Sequence, residues 1–122
     1  MDKAKILVID DDPICTGMLL AILGDDYQVL SANSGSGALD LLSSVKPNLI
    51  LLDITMPNIN GYQVIKHLKG DLRTSNIPVV VISSLVEKSD QDFAINLGAD
   101  NYLTKPILPN DIQAILNKYL SL

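Results

Sequence analysis

Three aspartates in a row, Asp10, Asp11 and Asp12, follow the apolar run Ile6-Leu7-Val8-Ile9, and a further one, Asp53, follows Leu49-Ile50-Leu51-Leu52. Ser83 closes Val79-Val80-Val81-Ile82, and Lys105-Pro106 closes Tyr102-Leu103-Thr104. Each of these side chains can grip a phosphoryl group or the cation that travels with one. A carboxylate attacks phosphorus as a nucleophile, giving an acyl phosphate, once its own charge and that of the phosphoryl oxygens are offset. Magnesium is the natural offset, because it takes octahedral oxygen coordination from one or two carboxylates plus phosphate and water. Asp11 with Asp53 and a nearby backbone carbonyl would supply the protein's share, and Asp10 would orient a metal-bound water. Lys105 offers a point charge to a phosphoryl oxygen, and Ser83 a hydroxyl that donates to another. Without a cation, carboxylates this close repel, so one of them is expected to hold its proton above the ordinary range.

Taken singly, these residues have plainer explanations. Asp12 before Pro13 is a helix cap, Asp53 is an acid where a strand becomes a turn, and Lys105 is a solvated lysine. Joint placement at successive strand ends is what argues for a site.

The elements that position them follow from the pattern of apolar residues. Strands are expected at about 4–10, 27–32, 48–53, 77–83 and 101–104, each followed by a helical pattern, which makes five βα units. Uninterrupted apolar strands alternating with helices imply a parallel sheet covered on both faces, a doubly wound α/β fold. The first and third strands, the most apolar, are expected as central neighbours, and ligands of such sheets bind beyond the carboxyl ends at the switch point. Asp12-Pro13 opens the first helix and Gly24 closes it. Ser34 or Ser36 starts the second, with Leu39, Leu42 and Val45 on one face before Lys46-Pro47 stops it. Gly61 starts the third helix and Gly70 ends it. The fourth, about 87–97, has a thin apolar face through Ala94 and Leu97 and ends at Gly98, and the fifth runs from Asn110 to Leu120 with Ile112, Ile115, Leu116 and Tyr119 inward.

A chain of 122 residues fits one domain, 1–122, and no linker, repeat or low-complexity tract divides it. Fourteen acidic against nine basic residues give a net charge of −5 with no basic cluster, which argues against direct binding to nucleic acid. No apolar run approaches the roughly 20 residues of a membrane span. Met1-Asp2-Lys3-Ala4-Lys5 leads straight into a strand without the features of a secretory signal, so a cytoplasmic location is expected. Cys15, the single cysteine, lies among Met18, Leu19 and Ile22 and is expected to be a core thiol. His67, in the third helix away from the strand ends, is expected to be a surface or half-buried histidine rather than a phosphorelay group or metal ligand. Phe93, beside Ala94 rather than on its core face, marks either a partner surface or packing against a neighbouring loop.

Together these residues resemble the receiver domain of bacterial two-component response regulators, over essentially the whole chain. The family's acidic pair falls on Asp10 and Asp11, its phosphoacceptor on Asp53 in Asp53-Ile54-Thr55-Met56-Pro57 with Gly61 following, its switch hydroxyl on Ser83 and its lysine on Lys105-Pro106. The resemblance implies a flavodoxin-like (βα)5 sheet of strand order 2-1-3-4-5. It also implies phosphoryl transfer from a histidine kinase or phosphotransfer protein to Asp53, with Mg2+ held by Asp10, Asp11, Asp53 and the Thr55 carbonyl. Tyr102 matches an aromatic position that turns inward when the switch hydroxyl moves; its plainer reading is an edge-strand tyrosine with a wet hydroxyl. The face of helix four, strand five and helix five would then meet a downstream effector or a second copy of the chain. The Lys105-Pro106 bond is expected to be cis, against a general frequency of about 5–6%.

Departures from the family pattern carry their own expectations. Ser83 stands where threonine is commoner, and Ser84 replaces a small apolar residue, which would weaken switch coupling. Thr55 and Leu85 occupy positions that tune dephosphorylation. Leu85 cannot orient an attacking water, so self-dephosphorylation is expected to be slow and the protein is not expected to be a turnover enzyme. A haloacid-dehalogenase-like phosphatase is the rival, since Asp10 and Asp12 satisfy its Asp-x-Asp pattern. Ile14 stands where that family wants threonine or valine, no late acidic pair follows Lys105, and the chain has little room for a cap domain. A phosphorylation-independent interaction module is a third reading. A flavodoxin-like cofactor carrier lacks its phosphate loop after strand one.

Overall fold

The computed structural model describes residues 3–120. Five parallel strands, β1 (Lys5–Ile9), β2 (Gln28–Ala32), β3 (Leu49–Leu52), β4 (Val79–Ser83) and β5 (Asn101–Thr104), form one sheet of order 2-1-3-4-5. The helices are α1 (Pro13–Leu23), α2 (Gly35–Leu42), α3 (Gly61–Lys69), α4 (Lys88–Leu97) and α5 (Pro109–Leu120), with a 3₁₀ turn at Gly24–Asp26.

Strand side chains alternate between two cores. Leu7, Ile9, Ile50, Leu52, Val79 and Val81 face Ala38, Val64, Ile65, Leu68 and Ala94, the inward residues of α2, α3 and α4. Ile6, Val8, Leu49, Leu51, Val80 and Ile82 face Leu19 and Leu23 of α1 and Ile112, Ile115 and Leu116 of α5. A strand buried on both sides has no reason to alternate with polar residues, and β3 is accordingly buried at every position.

Helix starts follow local chemistry. Asp12 caps α1, its Oδ1 accepting from the Ile14 amide, and Pro13 follows where no amide is needed. Ser34, not Ser36, caps α2 by accepting from the Gly37 amide at 3.0 Å. Asn60 and Gln63 close a reciprocal capping box on α3. Gly24, Gly70 and Gly98 end α1, α3 and α4 as expected, with Gly24 and Gly98 at positive φ.

Two sequence expectations need correction. The inward face of α2 is Gly35 and Ala38 with Leu41 and Leu42, rather than Leu39, Leu42 and Val45. The helix stops at Leu42 because the Ser43 and Ser44 hydroxyls donate back to the Asp40 and Leu41 carbonyls, so Val45 never continues the helical face. Cys15 is only half-buried, and Met18 is exposed, because α1 rests on the sheet through Leu19 and Leu23.

Candidate functional site

The parallel register continues past the strand ends and sets the backbone of the site. The Asp10 amide donates to the Ala32 carbonyl at 3.1 Å, the Asp53 amide to Ile9 at 2.8 Å, and the Lys105 amide to Ser83 at 2.8 Å. Residues far apart in sequence are thereby fixed side by side at the carboxyl edge. Asp10, Asp11 and Asp53 each present a carboxylate oxygen within 4.8 Å of the others. Lys105 Nζ lies 3.1 Å from Asp10 Oδ2 and 3.7 Å from Asp53 Oδ1. Asp53, Asp10 and Ser83 are buried, and Asp11 is exposed at the mouth.

Burial, then the neighbouring Asp10 charge, pushes the Asp53 carboxyl up to about 6, with Asp11 adding and Lys105 opposing. This is the proton-holding acid expected from the crowding of charges. Burial works against the Lys105 ammonium, but its hydrogen bond to Asp10 and the Asp53 charge outweigh that penalty, and its pKa rises. An ion pair so well desolvated is costly to break by removing one partner.

Asp12 takes no part in the cluster. Its Oδ1 caps α1 and its Oδ2 accepts from Cys15 Sγ at 3.4 Å, so the Ile14 amide and the thiol hold its carboxyl below the ordinary range. Burial and that same hydrogen bond raise the Cys15 thiol. The Asp-x-Asp pattern of the phosphatase reading therefore lacks its second acid.

Ser83 Oγ accepts from the Leu85 amide at 3.1 Å, and Tyr102 Oη donates to the Leu85 carbonyl at 2.8 Å. Both groups of one residue in the β4–α4 loop are thus held by the two expected switch side chains. Tyr102, half-buried on the edge strand β5, packs its ring against the α2–α4 core, and burial raises its hydroxyl above the ordinary range despite Ser83. That Leu85 would be their shared partner had no signal in the sequence, because the link runs through its backbone. Thr55 is exposed between buried Ile54 and Met56 in the β3–α3 loop, and Ser84 is exposed beside Ser83. The Lys105-Pro106 bond is cis.

Residues away from the edge sort themselves. His67 is exposed in the last turn of α3 with Lys66 and Lys69, where positive charge suits the helix dipole. Phe93 packs against Tyr62 of α3 in a T-shaped pair, ring centroids 4.7 Å apart, rather than against a loop, and about half of it stays exposed. Among the described residues no helix is long and apolar enough to cross a membrane.

An oxygen-only set of three carboxylates is the donor chemistry of a hard divalent cation such as Mg2+, and the residues present fit one.

Five parallel strands of this order alternating with helices, with a buried strand-end carboxylate flanked by two acids and a lysine, define a receiver-type fold. Residues 6–117 match the family described as the response regulator receiver domain, and the chain belongs to that family. It is 35% identical to protein PilH of Pseudomonas aeruginosa, covering 97% of this chain and 98% of that protein. It is 37% identical to the probable transcriptional regulator ycf27 of Porphyridium aerugineum over 98% of this chain but 49% of ycf27, so it spans about half the length of that relative. Among solved structures, a signal receiver domain of a histidine kinase from Syntrophus aciditrophicus superposes with a TM-score of 0.89 at 31% identity, covering 97% of this chain and 90% of that one. The Mn2+-bound form of response regulator Rcp1 gives 0.86 at 26% identity, covering 96% and 94%.

Proposed function

We propose that this receiver domain, residues 1–122, is a phosphorylation switch whose acceptor is Asp53. The observation that carries the reading is the buried Asp53 carboxylate with Asp10 and Asp11 within 4.8 Å and Lys105 Nζ at 3.7 Å. A donor histidine of a kinase or phosphotransfer protein, or a small acyl phosphate, brings the phosphoryl group. An Asp53 oxygen forms the new P–O bond as the donor's bond to phosphorus breaks, and the leaving group departs on the opposite side. Lys105 holds one phosphoryl oxygen by charge, and the Ser83 hydroxyl donates to another. Asp10, Asp11, Asp53 and the Thr55 carbonyl would hold Mg2+, which supplies charge neutralisation between the carboxylates and the phosphoryl oxygens. The Mn2+-bound state of Rcp1 supports a divalent cation here.

Recruitment of Ser83 by the phosphoryl group competes with its bond to the Leu85 amide, and Tyr102 shares that loop through the Leu85 carbonyl. The signal passes to α4, β5 and α5, and there to an effector or a second copy. The chain acts as a cytoplasmic relay rather than a turnover enzyme, because Leu85 is apolar and gives an attacking water no hydrogen-bond partner.

Labelling with acetyl phosphate and Mg2+ tests this. Asp53→Ala is expected to abolish the label, and label persisting on that variant would end the assignment. Decay after donor removal is expected to be slow in the parent and faster when Leu85 is made polar.

A further inference from the structure

Gly35 opens α2 and Gly61 opens α3, and both stand where no side chain fits. A Cβ on Gly61 would press on the Asp53 carbonyl oxygen and lie 2.6 Å from Ile54 Cα. A Cβ on Gly35 would lie 2.6 Å from the Ile59 carbonyl oxygen and 2.7 Å from both Ile59 Cβ and Cγ2. Carbon atoms in contact prefer about 3.5–4.0 Å, so either side chain would drive the β3–α3 loop away by something near an ångström. That loop carries Asp53 at its start and Thr55 two residues on. It is gripped at the Asp53 end by the first turn of α3, where the Gly61 amide donates to the Ile54 carbonyl at 2.8 Å, and at its far end by the first turn of α2.

Little slack remains between the two grips. Asn58 sits at a φ of 67°, a conformation that favours glycine or asparagine, and Ile54, Met56 and Ile59 all pack into the α2–α4 core. A push at Ile59 is therefore expected to pass along the loop backbone rather than be absorbed within it. Gly17 in the middle of α1 offers the contrast, since a Cβ there meets nothing within 4 Å.

We infer that Gly35 is a positioning residue for phosphoryl acceptance, its bare backbone forming the seat against which the far end of the acceptor loop rests. The inference builds on the reading of Asp53 as acceptor, and it places a determinant of the reaction in α2, which contributes no side chain to the site.

Three variants of the full chain test it: Gly35→Ala, Gly17→Ala, and Gly35→Ala combined with Ile59→Gly. The first readout is the backbone amide spectrum of residues 54–61 in metal-free protein, and the second is the initial rate of Asp53 labelling by acetyl phosphate with Mg2+. Gly17 lies inside α1 and Gly35 at the first position of α2, so helix propensity gives neither alanine a reason to slow labelling, and a loss confined to Gly35→Ala points to the seat. Gly35→Ala is expected to shift the amides of 54–61 and to slow labelling on the order of tenfold to a hundredfold, the usual cost of small misplacements. Gly17→Ala is expected to match the parent in both, and the double variant to recover part of the rate, since Ile59→Gly removes the Cβ and Cγ2 contacts and leaves that with the Ile59 carbonyl oxygen. A Gly35→Ala chain with parental spectrum and rate overturns the inference. So does a loss that the double variant leaves wholly unrecovered. Should Gly35→Ala not fold, a double variant that folds and labels supports the seat, and one that does not overturns it. A parent chain unlabelled at Asp53 would instead refute the acceptor reading, while the amide shifts would still report on the seat.

Discussion

Asp53 is an acid with two acidic neighbours and almost no water, and its ionisation works against the fold. Its carboxyl stands at about 6 in the folded chain against an ordinary 3.8. A folded value raised above the unfolded one means stability that is fully present below about pH 4 and is lost as pH rises through about 6. At about 1.4 kcal/mol for each pH unit, the loss at neutral pH amounts to about 3 kcal/mol. Asp53→Asn keeps the shape and removes the charge. With divalent ions chelated, the variant is expected to exceed the parent in unfolding free energy by up to that amount at pH 7.5, the gap closing toward pH 4. Urea titrations at the two pH values measure it, and a gap that does not change with pH would contradict the burial and charge argument. The same residue shows what was legible. Crowded acids at strand ends announced a proton-holding carboxylate, whereas the hold of Leu85 on Ser83 and Tyr102 runs through a backbone amide and carbonyl that no residue type advertises.

At the scale of elements, helix starts were legible and helix faces less so. Caps are local chemistry: Asp12, Ser34 and Asn60 each accept from an amide within three residues, so the type of one side chain decides the outcome. The inward face of a short helix depends on where it ends. α2 ends early on two serine hydroxyls and turns Gly35 and Ala38 to the core, and the spacing of Leu39, Leu42 and Val45 could not reveal that. Asn60 links cap to site, because it starts the helix whose first residue, Gly61, lies under Asp53. Asn60→Ala removes the acceptor for the Gln63 amide and is expected to cost about 1 kcal/mol, seen as a lower urea midpoint with an unchanged slope. An unmoved midpoint would show that the capping box contributes nothing to stability.

For the whole molecule, parallel register converts distant sequence positions into one edge, and this is why the site could be read before the structure. Ile9 pairs with Leu52, Leu52 with Val81 and Ser83 with Thr104, so the residues that follow each pair are neighbours whatever lies between them in the chain. Contacts between elements that share no strand pairing, such as Gly35 against Ile59, depend on how α2 lies against the β3–α3 loop and carry no such signal. The folded chain also brings Asp53 to the adjacent Asp10 and Asp11, from which the unfolded chain keeps it apart. A cation binding the gathered set and not the dispersed one stabilises the fold by mass action, about 2.7 kcal/mol at a hundredfold excess over its dissociation constant. For a domain between the small and medium size classes, this corresponds to a rise in Tm on the order of 10 °C. Saturating Mg2+ at pH 7.5 is expected to produce that rise in the parent. Asp11→Asn should weaken it by removing a carboxylate at the mouth, and lowering the pH to 5 should shrink it, since protons then compete for Asp53 below its value of about 6. Thermal melts with and without Mg2+ decide the matter: a parent Tm indifferent to the ion at pH 7.5 would mean that the acidic cluster does not select a divalent cation, and the charge-neutralisation step of the proposed switch would fall with it.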